Sequence, residues 1–319
     1  MNAWQVASHG GPEALTLTAV PAPAPGPGEV LVRVHAAALN FSDLLMMRDA
    51  YQVRPPLPFV PGQEIAGFVV GPEGSPWSGR RVATKVLWGG FAELVLARES
   101  MLIGLPDDLS FEAGATLPVV WPTAWIALHE RARLAPGESV LVHAGASGVG
   151  LAGIQLAKVA GARVAATAGA GPKLAAARAA GADAAFDYRD ELWPDAARAF
   201  APAGFDAVLD PVGGEVTDAS IRLLAWGGRL LVVGFASGEI PSIRANRLLL
   251  RNAAAIGVYW SHERDAALIE RAVAEVLRLH AAGRIRIAAR RVYPFAELPA
   301  ALAEFAGRQA SGKTVILGP

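Results

Sequence analysis

The chain has 319 residues, 53% of them hydrophobic and 18% charged, with 29 basic against 29 acidic side chains and no cysteine. That balance argues against a broad basic surface for nucleic acid or anionic lipid, and the missing thiols exclude disulfides, cysteine nucleophiles and cysteine-based zinc centres. The length suits two domains, no apolar run approaches a bilayer span, and MNAWQVASHGG has no basic flank before an apolar stretch, so a cytoplasmic protein without nucleic-acid or membrane partners is expected.

In chain order, PAPAPGPG at 21–28 makes a stiff connector between two short strands. EVLVRVHAA at 29–37 alternates apolar and polar residues, as a half-buried strand does, and strands are predicted over 64–71, 81–86 and 91–96 between glycine and proline turns. A helix is predicted over 117–131. From 139 onward strands (140–143, 163–167, 184–187, 207–209, 229–233, 253–258) alternate with helices (about 150–159, 173–180, 216–224). Such alternation of apolar strands with helices implies a parallel sheet covered on both faces. A helix over 265–282, a strand over 285–292, a helix over 297–306 and a strand over 314–317 follow. These last strands are too few for a core of their own, so the tail is expected to return to the first domain. The fold class is α/β: a β-rich domain of residues 1–121 and 261–319, and a doubly wound parallel-sheet domain of residues 122–260.

Within the second domain, GESVLVHAGASGVGLAGIQLAK (137–158) runs from a β-branched strand through a glycine turn (Gly145, Gly148, Gly150) into an alanine-rich helix. That layout holds a dinucleotide pyrophosphate, because glycines let the backbone approach and free N–H groups at the helix start point at the phosphates. Ser147 stands where the commonest pattern has its middle glycine. Either its hydroxyl donates to a phosphate oxygen, or the turn shifts and the Gly148 and Val149 N–H groups carry the contact. An acidic residue ending the second strand would bind an NAD ribose and repel the 2′-phosphate of NADP. Ala168 and Gly169 occupy that place, no carboxylate occurs from 165 to 174, and Lys173 heads the next helix. The pocket therefore favours NADPH, with Lys173 as phosphate partner unless it is an ordinary solvated lysine.

PGPGEVLVRVHAAALNFSD, PGQEIAGFV, the glycine turn, DAVLDPVGG, GGRLLVVGFASG and GKTVIL, taken in series over nearly the whole chain, resemble the medium-chain dehydrogenases/reductases, and more narrowly their zinc-independent NADPH:quinone oxidoreductase branch. The resemblance implies a GroES-like catalytic first domain, a Rossmann NADPH-binding second domain and a cleft between them. Zinc relatives carry a cysteine in the segment matching Asn40 and a histidine matching Gln63. Neither is present here, and the six histidines (His9, His35, His129, His143, His262, His280) form no HxH or HxxxH pair, so no metal is expected.

The resemblance also implies Asn40 beside the nicotinamide ribose, Thr123 close to the nicotinamide, Tyr188 at the 2′-phosphate, and Gly234, Phe235, Ser237 and Tyr259 along the coenzyme. Asp43 is expected to tie its loop together rather than transfer a proton. Tyr51, Gln63, Trp88, Trp121, Tyr259 and Trp260 are candidates for the substrate wall, where flat rings suit a conjugated apolar substrate. Trp4, Trp77, Trp193 and Trp226 are assigned to the core. No Ser-Tyr-Lys set occurs, so Tyr51 or water is left as proton donor. The expected activity is metal-free hydride transfer from NADPH to a quinone or enone. Alternatives are an enoyl-thioester reductase, which needs a basic lip from Arg244, Arg247 and Arg251, and an NADPH-binding sensor without turnover. The edge strand at 253–258 suggests a homodimer.

Overall fold

The computed structural model describes residues 1–169, 171–307 and 310–319, and they divide into two units, 1–119 with 287–319, and 120–286. Strands β1 (Asn2–Val6) and β2 (Leu15–Ala19) pair antiparallel at the start of the first unit. Strand β3 (Glu29–Ala38) buries Val30, Val32 and Val34, the alternate residues that the sequence pattern marked as inward. Helix α1 (Phe41–Met47) follows, then β4 (Glu64–Gly71), β5 (Arg81–Lys85), β6 (Leu94–Arg98), β7 (Ile103–Gly104) and the short helix α2 (Phe111–Gly114). The β6 strand begins three residues later than expected, because the 91–93 segment is taken up in contacts to the first strand: Trp4 N donates to Phe91 O and Glu93 N to Asn2 O.

The second unit opens on α3 (Val120–Trp125), which runs into a π-helical turn at Ile126–Arg131. The helix predicted from 117 thus starts at 120 and widens at its end. Strands β8 (Ser139–Val142), β9 (Arg163–Ala168), β10 (Ala184–Asp187), β11 (Phe205–Asp210), β12 (Leu224–Val232) and β13 (Ala254–Gly257) alternate with α4 (Gly148–Val159), α5 (Gly171–Ala179), α6 (Trp193–Phe200), α7 (Glu215–Leu223) and α8 (Ala245–Leu249). All pairings are parallel, in the order β10-β9-β8-β11-β12-β13. This doubly wound order reverses between β8 and β11, so the loops leaving their carboxyl ends diverge and open a crevice.

Helix α9 (His262–Ala281) was expected in the returning tail. It belongs instead to the second unit: its buried face (Ile269, Ala272, Val273, Val276, Leu279) packs against α3, which moves the return from 260 to 286/287. The strand predicted over 285–292 shrinks to β14 (Arg291–Tyr293). Ile285 and Ile287 are buried outside any strand, so their apolar signal came from burial and not from pairing. Helix α10 (Leu298–Ala306) and strand β15 (Thr314–Leu317) complete the first unit, where β15 joins β14 to β3 in a seven-stranded sheet. Trp226, expected in the core, is 75% exposed: it stands near the amino end of β12, just before Gly227 (φ +74). Among the described residues no helix is long and apolar enough to cross a membrane.

Candidate coenzyme and reaction sites

The turn after β8 is shaped by contacts that leave no room for side chains. Gly145 N donates to Thr167 O at 2.8 Å, and a Cβ on Gly145 would stand 2.7 Å from Ala166 Cβ. A Cβ on Gly150 would stand 2.2 Å from Ala144 O and 2.8 Å from Gly145 Cα. Ser147 caps α4: its Oγ accepts from Gly150 N at 3.0 Å. As that bond uses only a lone pair, the Ser147 O–H proton is left to donate. Gly148 and Val149 are the first helical residues, whose N–H groups have no acceptor within the helix. Both alternatives for the phosphate contact thus meet at one place. The donors and the steric cradle fit a dinucleotide diphosphate.

Across the crevice, Asp210 organises the loop after β11. Its Oδ1 accepts from Val212 N (2.8 Å) and Gly213 N (3.0 Å), and its Oδ2 from Thr217 Oγ1 (2.5 Å). The 233–238 segment lies along that loop, with Ala236 N on Pro211 O and Ser237 N on Val212 O. This brings Gly234, Phe235 and Ser237 together at the carboxyl end of the sheet, on the same side as Ser147.

Buried Ala168 ends β9, and Tyr188 N donates to its carbonyl at 3.2 Å. The Tyr188 ring lies over Gly169, with Cε1 3.1 Å from the place of a Cβ there. Lys173 stands in the first turn of α5, which holds no acidic residue. One carboxylate does lie close: Asp187 pairs in register with Ala168. Arg189 pairs with it, donating from Nε to Oδ1 at 2.9 Å and to Oδ2 at 3.2 Å, and from Nη2 to Oδ2 at 2.5 Å. Asp187 is thus paired with Arg189, a contact that the sequence reading missed.

Beneath this end, His143 is buried between Thr167 Oγ1 (Nδ1, 2.8 Å) and Ser220 Oγ (Nε2, 2.6 Å). Ser220 Oγ donates its proton to Val216 O at 2.7 Å, so it accepts from His143; the ring is the neutral Nε2–H tautomer and Thr167 donates to Nδ1. Burial pushes the imidazole down to about 4. Farther along the unit, Trp260 Nε1 donates to Thr123 Oγ1 at 3.0 Å, and Trp121 (4% exposed) and Trp260 (7%) are both buried, whereas Tyr259 is 66% exposed.

In the first unit, Asn40 heads α1. Its backbone N–H donates to Asp43 Oδ2 at 2.8 Å, so Asp43 does tie the loop together. The Asn40 side chain meets two residues that sequence reasoning did not single out. Its Oδ1 accepts from Lys313 Nζ at 2.8 Å and its Nδ2 donates to Glu64 Oε2 at 2.9 Å. Lys313 and Glu64 form a buried ion pair, and Glu64 Oε1 also accepts from Val119 N at 2.7 Å. The only sequence signal was a charge set inside each of two apolar strand motifs, QEIAGFV and GKTVIL. Gln63 Oε1 accepts from Ser42 Oγ, and Gln63 Nε2 donates to Leu87 O at 3.3 Å, next to half-exposed Trp88; Tyr51 packs on the apolar core of this unit.

A zinc ion does not fit these residues. The Asn40 oxygen already faces an ammonium group and the Gln63 oxygen a hydroxyl, and neither amide is a good zinc ligand. Two of the three arginines expected as a basic lip for a thioester are engaged elsewhere. Arg247 pairs with Asp218 at 3.5 Å, and Arg251 Nη1 donates to Leu224 O at 2.6 Å. Arg247 and Arg251 line a surface depression with Trp226 at the amino end of the sheet, opposite the Ser147 turn.

Asp43 is wholly buried, and its carboxyl is pushed up to about 7, chiefly by that burial, against the pull of the Asn40 N–H and the Lys313 ammonium. The folded chain thus keeps a proton that the unfolded chain, with an ordinary value of 3.8, has released. Stability is lost as pH rises from about 4 through about 7. Asp43→Asn keeps the neutral shape. Relative to the parent protein, it is expected to gain about 1 kcal/mol or more between acid and mildly alkaline pH in denaturant melts. A constant difference across that range would contradict the expectation.

Comparison with known proteins gives concordant matches. The alcohol dehydrogenase GroES-like domain family matches residues 26–107, and the zinc-binding dehydrogenase family matches residues 148–278. Quinone oxidoreductase-like protein 2 of Rattus norvegicus is 37% identical over 311 residues, spanning 95% of this chain and 89% of that protein. The quinone oxidoreductase of Thermus thermophilus, whose structure was also solved in complex with NADPH, is 39% identical, with 99% and 100% of the two chains covered and a TM-score of 0.84. A mycobacterial protein solved in complex with NADPH is 32% identical, with 99% of each chain covered and a TM-score of 0.92.

Proposed function

The chain belongs to the quinone oxidoreductase branch of the medium-chain dehydrogenases/reductases, and from that premise we propose that it reduces quinones or α,β-unsaturated carbonyls with NADPH. The observation that carries the proposal is the Ser147–Gly150 helix start, a preformed diphosphate cradle, with Asp187 beside Ala168 paired to Arg189. NADPH, when bound, supplies the hydride.

The residues of the chain do the rest. Ser147 Oγ and the N–H groups of Gly148 and Val149 bind the diphosphate. Lys173 and Tyr188, over Ala168 and Gly169, take the 2′-phosphate. Gly234, Phe235 and Ser237 flank the coenzyme along the crevice. In the first unit Asn40, and in the second Thr123, whose Oγ1 accepts from Trp260 Nε1, are assigned to the nicotinamide end. Tyr51, Gln63 and Trp88 of the first unit, and Trp121, Tyr259 and Trp260 of the second, are assigned to a flat apolar substrate. The carbonyl of a quinone or enone stabilises the added charge itself, so positioning and a few donors suffice, and the proton comes from Tyr51 or from water. The test is NADPH consumption with 1,4-benzoquinone and with simple enones. Binding without turnover on either class would favour a sensor.

Lys173→Ala is expected to weaken NADPH binding by about tenfold or more, the worth of one charge-assisted phosphate contact, and to leave NADH nearly untouched. Titrations of both coenzymes check it, and equal losses would contradict the phosphate assignment.

We also read the protein as a homodimer. β13 is the last strand of the parallel sheet, paired on one side by β12, and Leu249, Leu250 and Tyr259 beside it are exposed. Pairing two such edges would cover both. Sedimentation at micromolar concentration is expected to give twice the chain mass of 33.1 kDa, and the single-chain mass would contradict the reading.

A further inference from the structure

We propose that Lys313 is a positioning residue: together with Glu64 it fixes the orientation of the Asn40 amide, and so decides which of its atoms meets a ligand. This rests on the reading of Asn40 as a group at the nicotinamide end.

The three ammonium protons of Lys313 are all spent inside the first unit, on Leu39 O at 3.0 Å, on Asn40 Oδ1 at 2.8 Å and on Glu64 Oε2. Glu64 in turn accepts from Asn40 Nδ2 at 2.9 Å and from Val119 N at 2.7 Å. A lysine has only donors and a carboxylate only acceptors. The amide of Asn40 therefore has a single permitted orientation, with its oxygen to Lys313 and its nitrogen to Glu64. Turning it over would set NH2 against an ammonium and oxygen against a carboxylate, losing both bonds and adding two repulsions. The backbone is held as well, since Asn40 N donates to Asp43 Oδ2 at 2.8 Å.

Glu64 is fully buried and Lys313 is 7% exposed, whereas Asn40 is half-buried. Asn40 is thus the member through which the ion pair can reach a ligand. What it offers is one remaining lone pair on Oδ1 and the second Nδ2 proton, which has only a long contact of 3.4 Å to Ala38 O. A ribose hydroxyl, donor and acceptor at once, matches that pair. Because Lys313 arrives from the far end of the chain, the terminal GKT segment contributes to ligand recognition without touching the ligand.

The test is a double-mutant cycle between Lys313→Met and Asn40→Ala. It reads kcat and KM for NADPH with 1,4-benzoquinone, and NADPH dissociation constants by tryptophan fluorescence, with melting temperatures alongside. Lys313→Met is expected to lower kcat/KM by about tenfold in the parent protein and by less than about twofold once Asn40 is gone, because nothing remains to be oriented. Lys313→Arg, which keeps donors at this place, is expected to recover part of the loss. Equal losses in both backgrounds overturn the positioning role while leaving Asn40 in place. An Asn40→Ala variant with parental kinetics and affinity overturns the reading of Asn40, and the proposal with it. If Lys313→Met fails to fold, Glu64→Gln replaces it in the same cycle, with the same expected coupling and the same contrary result.

Discussion

Replacing Gly150 by alanine is expected to lower NADPH affinity by about a hundredfold, a loss of roughly 2.7 kcal/mol. The added methyl would stand 2.2 Å from Ala144 O, 2.8 Å from Gly145 Cα and 2.9 Å from Ala144 C. All three are backbone atoms, so no rotamer change relieves the clash. Ala144 itself already holds a left-handed φ of +47 without being glycine, so the turn has little further freedom. Overpacking of this kind costs about 1–3 kcal/mol, and the relief available is to push the start of α4 away from the turn. That movement breaks the Ser147 Oγ bond to Gly150 N, a cap worth about 1 kcal/mol, and misaims the Gly148 and Val149 N–H groups. Stability and coenzyme binding should therefore fall together. Melting curves with and without NADPH check this: the variant should lose most of the coenzyme-induced rise in Tm. Parental affinity in a folded Gly150→Ala protein would contradict the assignment of the cradle.

Glu64→Ala is expected to destabilise the first unit by about 3–5 kcal/mol, the cost of breaking a buried ion pair from one side. The substitution takes away the counter-charge of Lys313, the acceptor of Asn40 Nδ2 and the acceptor of Val119 N in one step. An ammonium group buried to this degree would keep only the Leu39 and Asn40 oxygens as partners. At about 2–4 °C per kcal/mol, Tm should fall by roughly 10 °C. The double variant Glu64→Ala with Lys313→Met should recover part of that loss, because the uncompensated charge has gone. A single variant that melts within a degree or two of the parent would show that the pair carries little. A double variant that melts lower than the single would show that packing, not charge, is what Glu64 supplies.

Local signals in the sequence carried much of the fold. β4, β10 and β15 fall where their β-branched and alternating residues placed them. The strand, glycine turn and helix around Ser147 were legible for the same reason, since every constraint lies within about a dozen residues. What escaped notice depends on partners or on layers. Helix α6 begins with Trp193 and Pro194, and a proline that reads as a breaker is harmless in a first turn, where no N–H is needed. Trp226 looks like core material, yet at the start of β12 its side chain is 75% exposed. Ile285 and Ile287 have strand character but bury their side chains without a partner strand. In the site, Asn40 was visible and its clamp was not, because Lys313 and Glu64 are 249 residues apart. The pair of Asp187 with Arg189 was close in sequence, but its importance follows from the register that sets Asp187 beside Ala168. His143 was read as one histidine among six. Its proton arrangement needs Thr167 and Ser220, which the sheet and α7 bring to it.

In the proposed function, the crevice at the carboxyl end of the parallel sheet takes NADPH through a backbone cradle and a neutral 2′-phosphate pocket. Isothermal calorimetry of the parent chain with NADPH and with NADH measures this binding. Saturable binding of one NADPH per chain is expected, at least about tenfold tighter than NADH. No measurable affinity for NADPH, or tighter binding of NADH, would contradict it.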